Sequence, residues 1–98
     1  MALGLMTKQL PEIFCDLNAG AKANSYRLTD GSFADLERLG LTPEQAVGMR
    51  FSFNGGSDTD ENGQAADIMF DGTIIKDDKW GYLAVADSKG VYWRLKAS

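Results

Sequence analysis

Apolar and polar residues alternate strictly in the middle of the chain. Met49, Phe51 and Phe53 are separated by single polar residues, and this period of two is typical of a strand with one buried face. Three further apolar runs, bounded by segments rich in Asp, Asn, Lys and Gly, predict further strands at residues 68–75, 80–86 and 91–95.

Turn residues between these runs indicate how the strands connect. Residues 54–63 predict an acidic loop, and Gly72 inside an apolar run predicts a kink or bulge. Residues 87–90 have the composition of a hairpin turn, so the last two strands are expected to pair with each other.

The first half of the chain contains shorter elements. Residues 13–17 and 25–29 predict two strands joined as a hairpin by a small, flexible segment. Ser32 followed by Asp35 has the form of a capping box and predicts a helix that begins at Ser32 and ends before Gly40. Residues 42–45 predict a second helix turn, with proline in its first position.

These elements predict a mainly β or α+β fold of five or six strands, with one or two short helices between the second and third strands. A small antiparallel SH3-like barrel is the expected architecture, and a strongly bent sheet is the alternative. At 98 residues the chain is expected to form a single domain over residues 1–98, with residues 1–9 as a weakly ordered tail.

The amino-acid composition limits the catalytic and metal-binding sites that the chain can form. The chain contains no histidine and one cysteine, so catalytic triads that use histidine, Cys/His zinc sites and internal disulfides are excluded. Cys15 lies in an apolar run, which predicts a buried, unreactive thiol. Without a recognisable catalytic set, and with no cofactor indicated, a non-enzymatic role is expected.

Charge and hydropathy indicate whether nucleic acid or a membrane is an expected partner. Fourteen acidic and ten basic residues give a net charge of −4, which opposes non-specific binding to nucleic acid. The apolar stretch at residues 1–6 is too short for a signal-peptide core or a membrane span. With one cysteine, this favours a cytoplasmic protein that does not bind membranes.

The acidic loop carries the one metal-like motif. Asp58, Asp60 and Asn62, followed by Gly63, match the opening of a calcium-binding loop, in which oxygen ligands recur at every second residue. The twelfth position, where such loops place a bidentate Glu, is Met69. A solvated turn is therefore favoured, and a weak Ca²⁺ site is the alternative.

Aromatic and basic residues in the last two predicted strands form a candidate binding surface. Alternation places Val91, Trp93 and Leu95 on one face, where a core position is expected. The opposite face is a candidate surface for a peptide or a single-stranded nucleic acid. Its candidate binding residues, together with an aromatic residue of the preceding strand, are Tyr82, Tyr92, Arg94 and Lys96.

The leading functional hypothesis is an interaction domain that binds a protein partner or itself through open sheet edges, as a homodimer or tetramer. Phe51, Phe53 and Tyr82 are candidate interface residues on the condition that they are exposed. A nucleic-acid-binding module and a domain with a weak divalent-cation loop are the alternatives.

Overall fold

Six strands and two helices make up residues 9–96, which are the residues that the computed structural model describes. In chain order they are β1 (Glu12–Phe14), β2 (Ser25–Arg27), α1 (Asp30–Arg38), α2 (Pro43–Ala46), β3 (Arg50–Thr59), β4 (Ala65–Asp77), β5 (Gly81–Ala86) and β6 (Tyr92–Leu95). The mainly β class and the two short helices between the second and third strands confirm the prediction. Residues 1–8 of the predicted tail lie outside the described residues.

The long strand β4 organises the sheet, whose order is β1-β3-β4-β5-β2. β3 follows one side of β4, and the other side is shared by β5, opposite Gly72–Asp77, and β6, opposite Ala66–Met69. The expected hairpin between the last two strands is therefore wrong. Ala86 and Tyr92 are six residues apart, whereas their partners on β4, Gly72 and Met69, are three residues apart. The three extra residues between β5 and β6 allow both strands to pair with β4 one after the other.

The sheet is mixed and does not close into a barrel. β1 runs parallel to β3 at one edge, while β2 runs antiparallel to β5 at the other edge. The predicted hairpin between the first two strands is wrong for this reason, and so is the all-antiparallel SH3-like barrel. Both edge strands are only three residues long.

The start of α1 differs from the prediction, whereas the start of α2 agrees with it. The N-cap of α1 is Thr29, three residues before the expected N-cap Ser32, and the Thr29 N–H donates to Ser32 Oγ at 3.2 Å. Asp35, expected at the helix start, instead accepts the backbone N–H of Phe14 at 2.8 Å and so connects α1 to β1. α2 confirms its prediction, because Thr42 and Gln45 cap each other at 2.9 and 3.1 Å.

Aromatic rings fill the core between the sheet and the helices. Phe53 stacks on Phe70 with ring centroids 4.9 Å apart, and Phe51 lies beside Phe53 at 6.0 Å. Leu36 of α1 and Ala46 of α2 belong to the same buried cluster. Because Phe51 and Phe53 are fully buried, they do not meet the condition for interface residues.

The acidic segment after Asn54 is strand rather than loop. β3 continues to Thr59, and its register against β4 shifts between Asn54 and Ser57, where Gly56 has a φ of 108°. The register of β4 against β3 is continuous through Gly72, so the bulge expected there is wrong, and the extra residue lies in β3 between Asn54 and Ser57. The connection to β4 reduces to a tight turn over residues 60–64.

Candidate functional site

The outer side of β6 is an open sheet edge. Lys96 N donates to Ala65 O on β4 at 3.3 Å, and β6 pairs with no other strand among the described residues. Peptide groups alternate in direction along an antiparallel strand, so those of Tyr92 and Arg94 also point toward β4. The N–H and C=O groups of Trp93 and Leu95 therefore point away from the sheet.

The same residues expose apolar side chains. Trp93 and Leu95 are 38% and 56% exposed, and Val91, directly before the strand, is 53% exposed. Their expected place in the core is wrong, because β6 pairs beyond the end of β5 while α1 packs beside β1. We call residues 91–95, with these outward peptide groups and apolar side chains, the β6 edge.

The opposite face of β6 carries an ion-pair network. Arg94 donates to both carboxylate oxygens of Glu12 at 2.6 and 3.0 Å and to Asp67 Oδ2 at 3.0 Å. Lys96 Nζ lies 3.3 Å from Asp67 Oδ1. The hydrogen bonds from Arg94 lower the pKa of both carboxyl groups and raise the pKa of Arg94. The network thus connects β6 to β4 and to β1.

Tyr92 lies on this face beside Arg94, as alternation predicts. Its O–H donates to Asp71 Oδ1 at 2.7 Å, and Lys89 Nζ lies 5.1 Å from its ring centroid. Burial and the neighbouring Asp71 raise the pKa of Tyr92.

The charges on this face balance. Three basic side chains, Lys89, Arg94 and Lys96, pair with three carboxylates, Glu12, Asp67 and Asp71. Binding to phosphates requires an excess of basic charge, and this pairing leaves none at the basic residues of the C-terminal strand. A cleft of about 380 Å³ beside the network is lined by three of these paired groups, Glu12, Asp71 and Arg94, and by uncharged residues that include Leu10, Met69 and Tyr92.

Tyr82 is not part of this surface. It lies on the core-facing side of β5, where its O–H donates to Glu44 Oε2 at 2.6 Å. This hydrogen bond raises the pKa of Tyr82. Its ring meets Phe33 edge-to-face at a centroid distance of 6.3 Å. The structure therefore separates Tyr82 from Tyr92, Arg94 and Lys96, which it brings together.

The residues of the calcium-like motif stabilise the β3–β4 turn. Asp60 Oδ1 accepts the backbone N–H groups of Asn62 and Gln64, both at 2.9 Å, and Asp58 Oδ1 accepts that of Thr59 at 2.8 Å. Within residues 9–96, no cluster of three or more His, Cys, Asp or Glu side chains is arranged to hold a metal ion. Asp58 lies on β3 itself, so the three motif residues do not form one loop.

No protein-family model, no curated protein and no solved structure matches this chain. Among the described residues, no helix is long and apolar enough to cross a lipid bilayer. The β6 edge combines outward peptide groups with exposed apolar side chains.

Proposed function

We propose that this chain is a protein-interaction domain that binds an extended polypeptide strand along the β6 edge. The observation that supports the proposal is that Trp93 and Leu95 each present an outward peptide group together with an exposed apolar side chain. Protein surfaces that add a strand from a partner use both features, since peptide groups supply hydrogen bonds and alternate side chains supply specificity.

The outward peptide groups set the number of hydrogen bonds that a partner strand can form with β6. Each outward residue of an antiparallel strand exchanges two hydrogen bonds with one residue of the added strand. Trp93 and Leu95 therefore offer four hydrogen bonds to a partner strand, and their side chains offer it apolar contacts on the core-facing side of the sheet. A partner with apolar residues at every second position fits this arrangement.

The β6 edge carries few of the features that protect sheet edges in monomeric proteins. Such edges are kept very short, covered by a loop or helix, interrupted by proline, or guarded by charges. β6 is short, at four residues, but it contains no proline. Arg94 and Lys96 lie near this edge, but both are held in ion pairs with carboxylates on the far face. The side that carries Trp93 and Leu95 is apolar.

The test uses Leu95→Pro and its matched control Leu95→Ala. Proline removes the outward N–H of residue 95 without removing a hydrogen bond to β4, whereas alanine keeps that N–H and shortens the same side chain. Random peptides displayed on phage are selected on the immobilised chain, and their affinities are measured for both variants.

We expect the selected peptides to alternate apolar and polar residues. Their affinity is expected to fall at least about tenfold for Leu95→Pro relative to Leu95→Ala, since proline removes a hydrogen bond and obstructs the approach of a strand. Equal affinities for the two variants, or selected peptides without alternation, would contradict the proposal. Circular dichroism of each variant confirms that the sheet is retained.

A further inference from the structure

We propose that Asn62 is a modification site, at which the side-chain amide is lost by spontaneous deamidation through attack of the Gly63 nitrogen. This inference concerns the β3–β4 turn and does not depend on the β6 edge. Asparagine is followed by glycine at two places in the chain, Asn54-Gly55 and Asn62-Gly63. The two pairs share their local sequence but differ in their surroundings, so the second pair has a matched control within the same molecule.

The reaction needs only these two residues and water. The Gly63 nitrogen forms a bond to Cγ of Asn62 and loses its proton, while the Cγ–Nδ2 bond breaks and ammonia leaves with that proton. The resulting succinimide ring takes up water and opens at either of its carbonyl groups, which gives aspartate or isoaspartate without oxidation or reduction. A glycine in the next position favours the attack, because it has no Cβ atom to hinder its nitrogen and its backbone rotates freely.

The side-chain amide of Asn62 is not restrained by the fold. Asn62 and Gly63 are both exposed. The backbone N–H of Asn62 donates to Asp60 Oδ1 at 2.9 Å, but its side-chain amide forms no hydrogen bond with any residue in the range 9–96. Cγ of Asn62 can therefore turn toward the Gly63 nitrogen without breaking a hydrogen bond.

The attacking nitrogen lies in a turn that opens easily. The Gly63 N–H donates to Asp60 O at 2.9 Å, and this hydrogen bond must break before the attack. Residues 61–65 are all exposed, and a hydrogen bond in an exposed turn opens locally at a small fraction of the free energy that global unfolding requires. The reaction at Asn62 therefore requires opening of the turn but not separation of β3 from β4.

The Asn54 side chain, in contrast, is held by three hydrogen bonds. Its Nδ2 donates to Glu12 Oε2 at 3.0 Å and to Asp67 Oδ2 at 3.4 Å, and its Oδ1 accepts the backbone N–H of Gly56 at 2.7 Å. The glycine that follows it lies within β3 and packs closely on Leu17, because a Cβ atom at that glycine would be 2.6 Å from Cδ1 of Leu17. Attack at this pair requires these hydrogen bonds and this packing to break, which raises the barrier to the reaction.

Either product alters the β3–β4 turn. Aspartate at position 62 adds a negative charge beside Asp60 and Glu61. Isoaspartate lengthens the main chain by one carbon, because the chain then passes through Cβ and Cγ of residue 62. This change is expected to displace the N–H groups of residues 62 and 64 from Asp60 Oδ1, which accepts both of them in the turn.

The test is incubation of the full folded chain at mildly alkaline pH, followed by tandem mass spectrometry that locates each amide replaced by a carboxyl group. The same incubation in guanidinium chloride, where both Asn-Gly pairs are unfolded, is the control for local sequence. The variant Gly63→Ala, incubated in guanidinium chloride, tests the identity of the attacking nitrogen, because alanine keeps this nitrogen and places a Cβ atom beside it.

We expect Asn62 to be converted at least about tenfold faster than Asn54 in the folded chain, and the two residues to be converted at similar rates in guanidinium chloride. Gly63→Ala is expected to slow the conversion of Asn62 severalfold and to leave that of Asn54 unchanged. Equal rates at the two residues in the folded chain, or faster conversion of Asn54, would overturn the proposal. So would a folded chain that keeps the Asn62 amide over a period in which the unfolded chain is fully converted.

Discussion

Gly72 lies where three strands meet, opposite Phe51 on β3 and Ala86 on β5. A Cβ atom at this position would collide with Val85 O and would lie 2.9 Å from the carbonyl carbon of Val85. These contacts are with backbone, which cannot move aside as a flexible side chain can. The sequence indicated that Gly72 is a special position inside a strand, but the reason is the close approach of β5 rather than a bulge.

Gly72→Ala is therefore expected to destabilise the fold by at least about 2 kcal/mol, since β4 and β5 must separate to admit the methyl group. Gly20→Ala is the control, because no atom lies within 4 Å of a Cβ at that position and its backbone does not need glycine. Urea denaturation followed by circular dichroism measures both variants. Equal free energies of unfolding for the two would refute the close approach.

At the scale of elements, alternation predicted most of the strands, while their pairing depended on distant residues. The composition of residues 87–90 favours a local hairpin, but β4 is long enough to bind β5 and β6 in succession. The ion pair between Glu12 and Arg94 joins residues 82 positions apart, and no local pattern in the sequence signals such a contact. Tyr92, Arg94 and Lys96 were found because their grouping depends only on the period of one strand.

The network around Arg94 makes the stability of the fold depend on pH. Arg94 lowers the pKa of Glu12 and Asp67 in the folded state, so its stabilisation is fully present above the unfolded pKa values of these groups and is lost as the pH falls through the folded values. We expect Arg94→Gln to lower the melting temperature by a few degrees at pH 7.

The difference in melting temperature between this variant and the unmodified chain is expected to shrink as the pH falls from 7 toward 2, because protonation of the two carboxylates removes the ion pairs. Arg27→Gln is the matched control, since it removes the same charge from a strand residue that makes no ion pair within residues 9–96. Thermal melts from pH 2 to pH 7 measure all three chains. A difference for Arg94→Gln that is constant over this range would contradict the network's role.

At the scale of the whole molecule, the edge strands β1, β2 and β6 differ in how far other segments cover them. β2 is paired at Tyr26 by an isolated bridge to Gly20, and β1 is held by a hydrogen bond from Phe14 N–H to Asp35 of α1. β6 has neither kind of cover among the described residues, although it exposes two large apolar residues, Trp93 and Leu95, whereas β1 exposes one and β2 none. Sequence patterns placed Trp93 in the core because they report which face a residue occupies and not whether another element covers that face.

The most direct test of the open β6 edge is amide hydrogen exchange measured residue by residue by NMR. In dilute solution we expect slow exchange for Tyr92 and Arg94, whose N–H groups face β4, and fast exchange for Trp93 and Leu95. With a peptide selected on the immobilised chain at saturating concentration, the amides of Trp93 and Leu95 are expected to become protected as the added strand pairs with them. Protection of these two amides in the free chain, or no gain of protection with the peptide, would contradict the account.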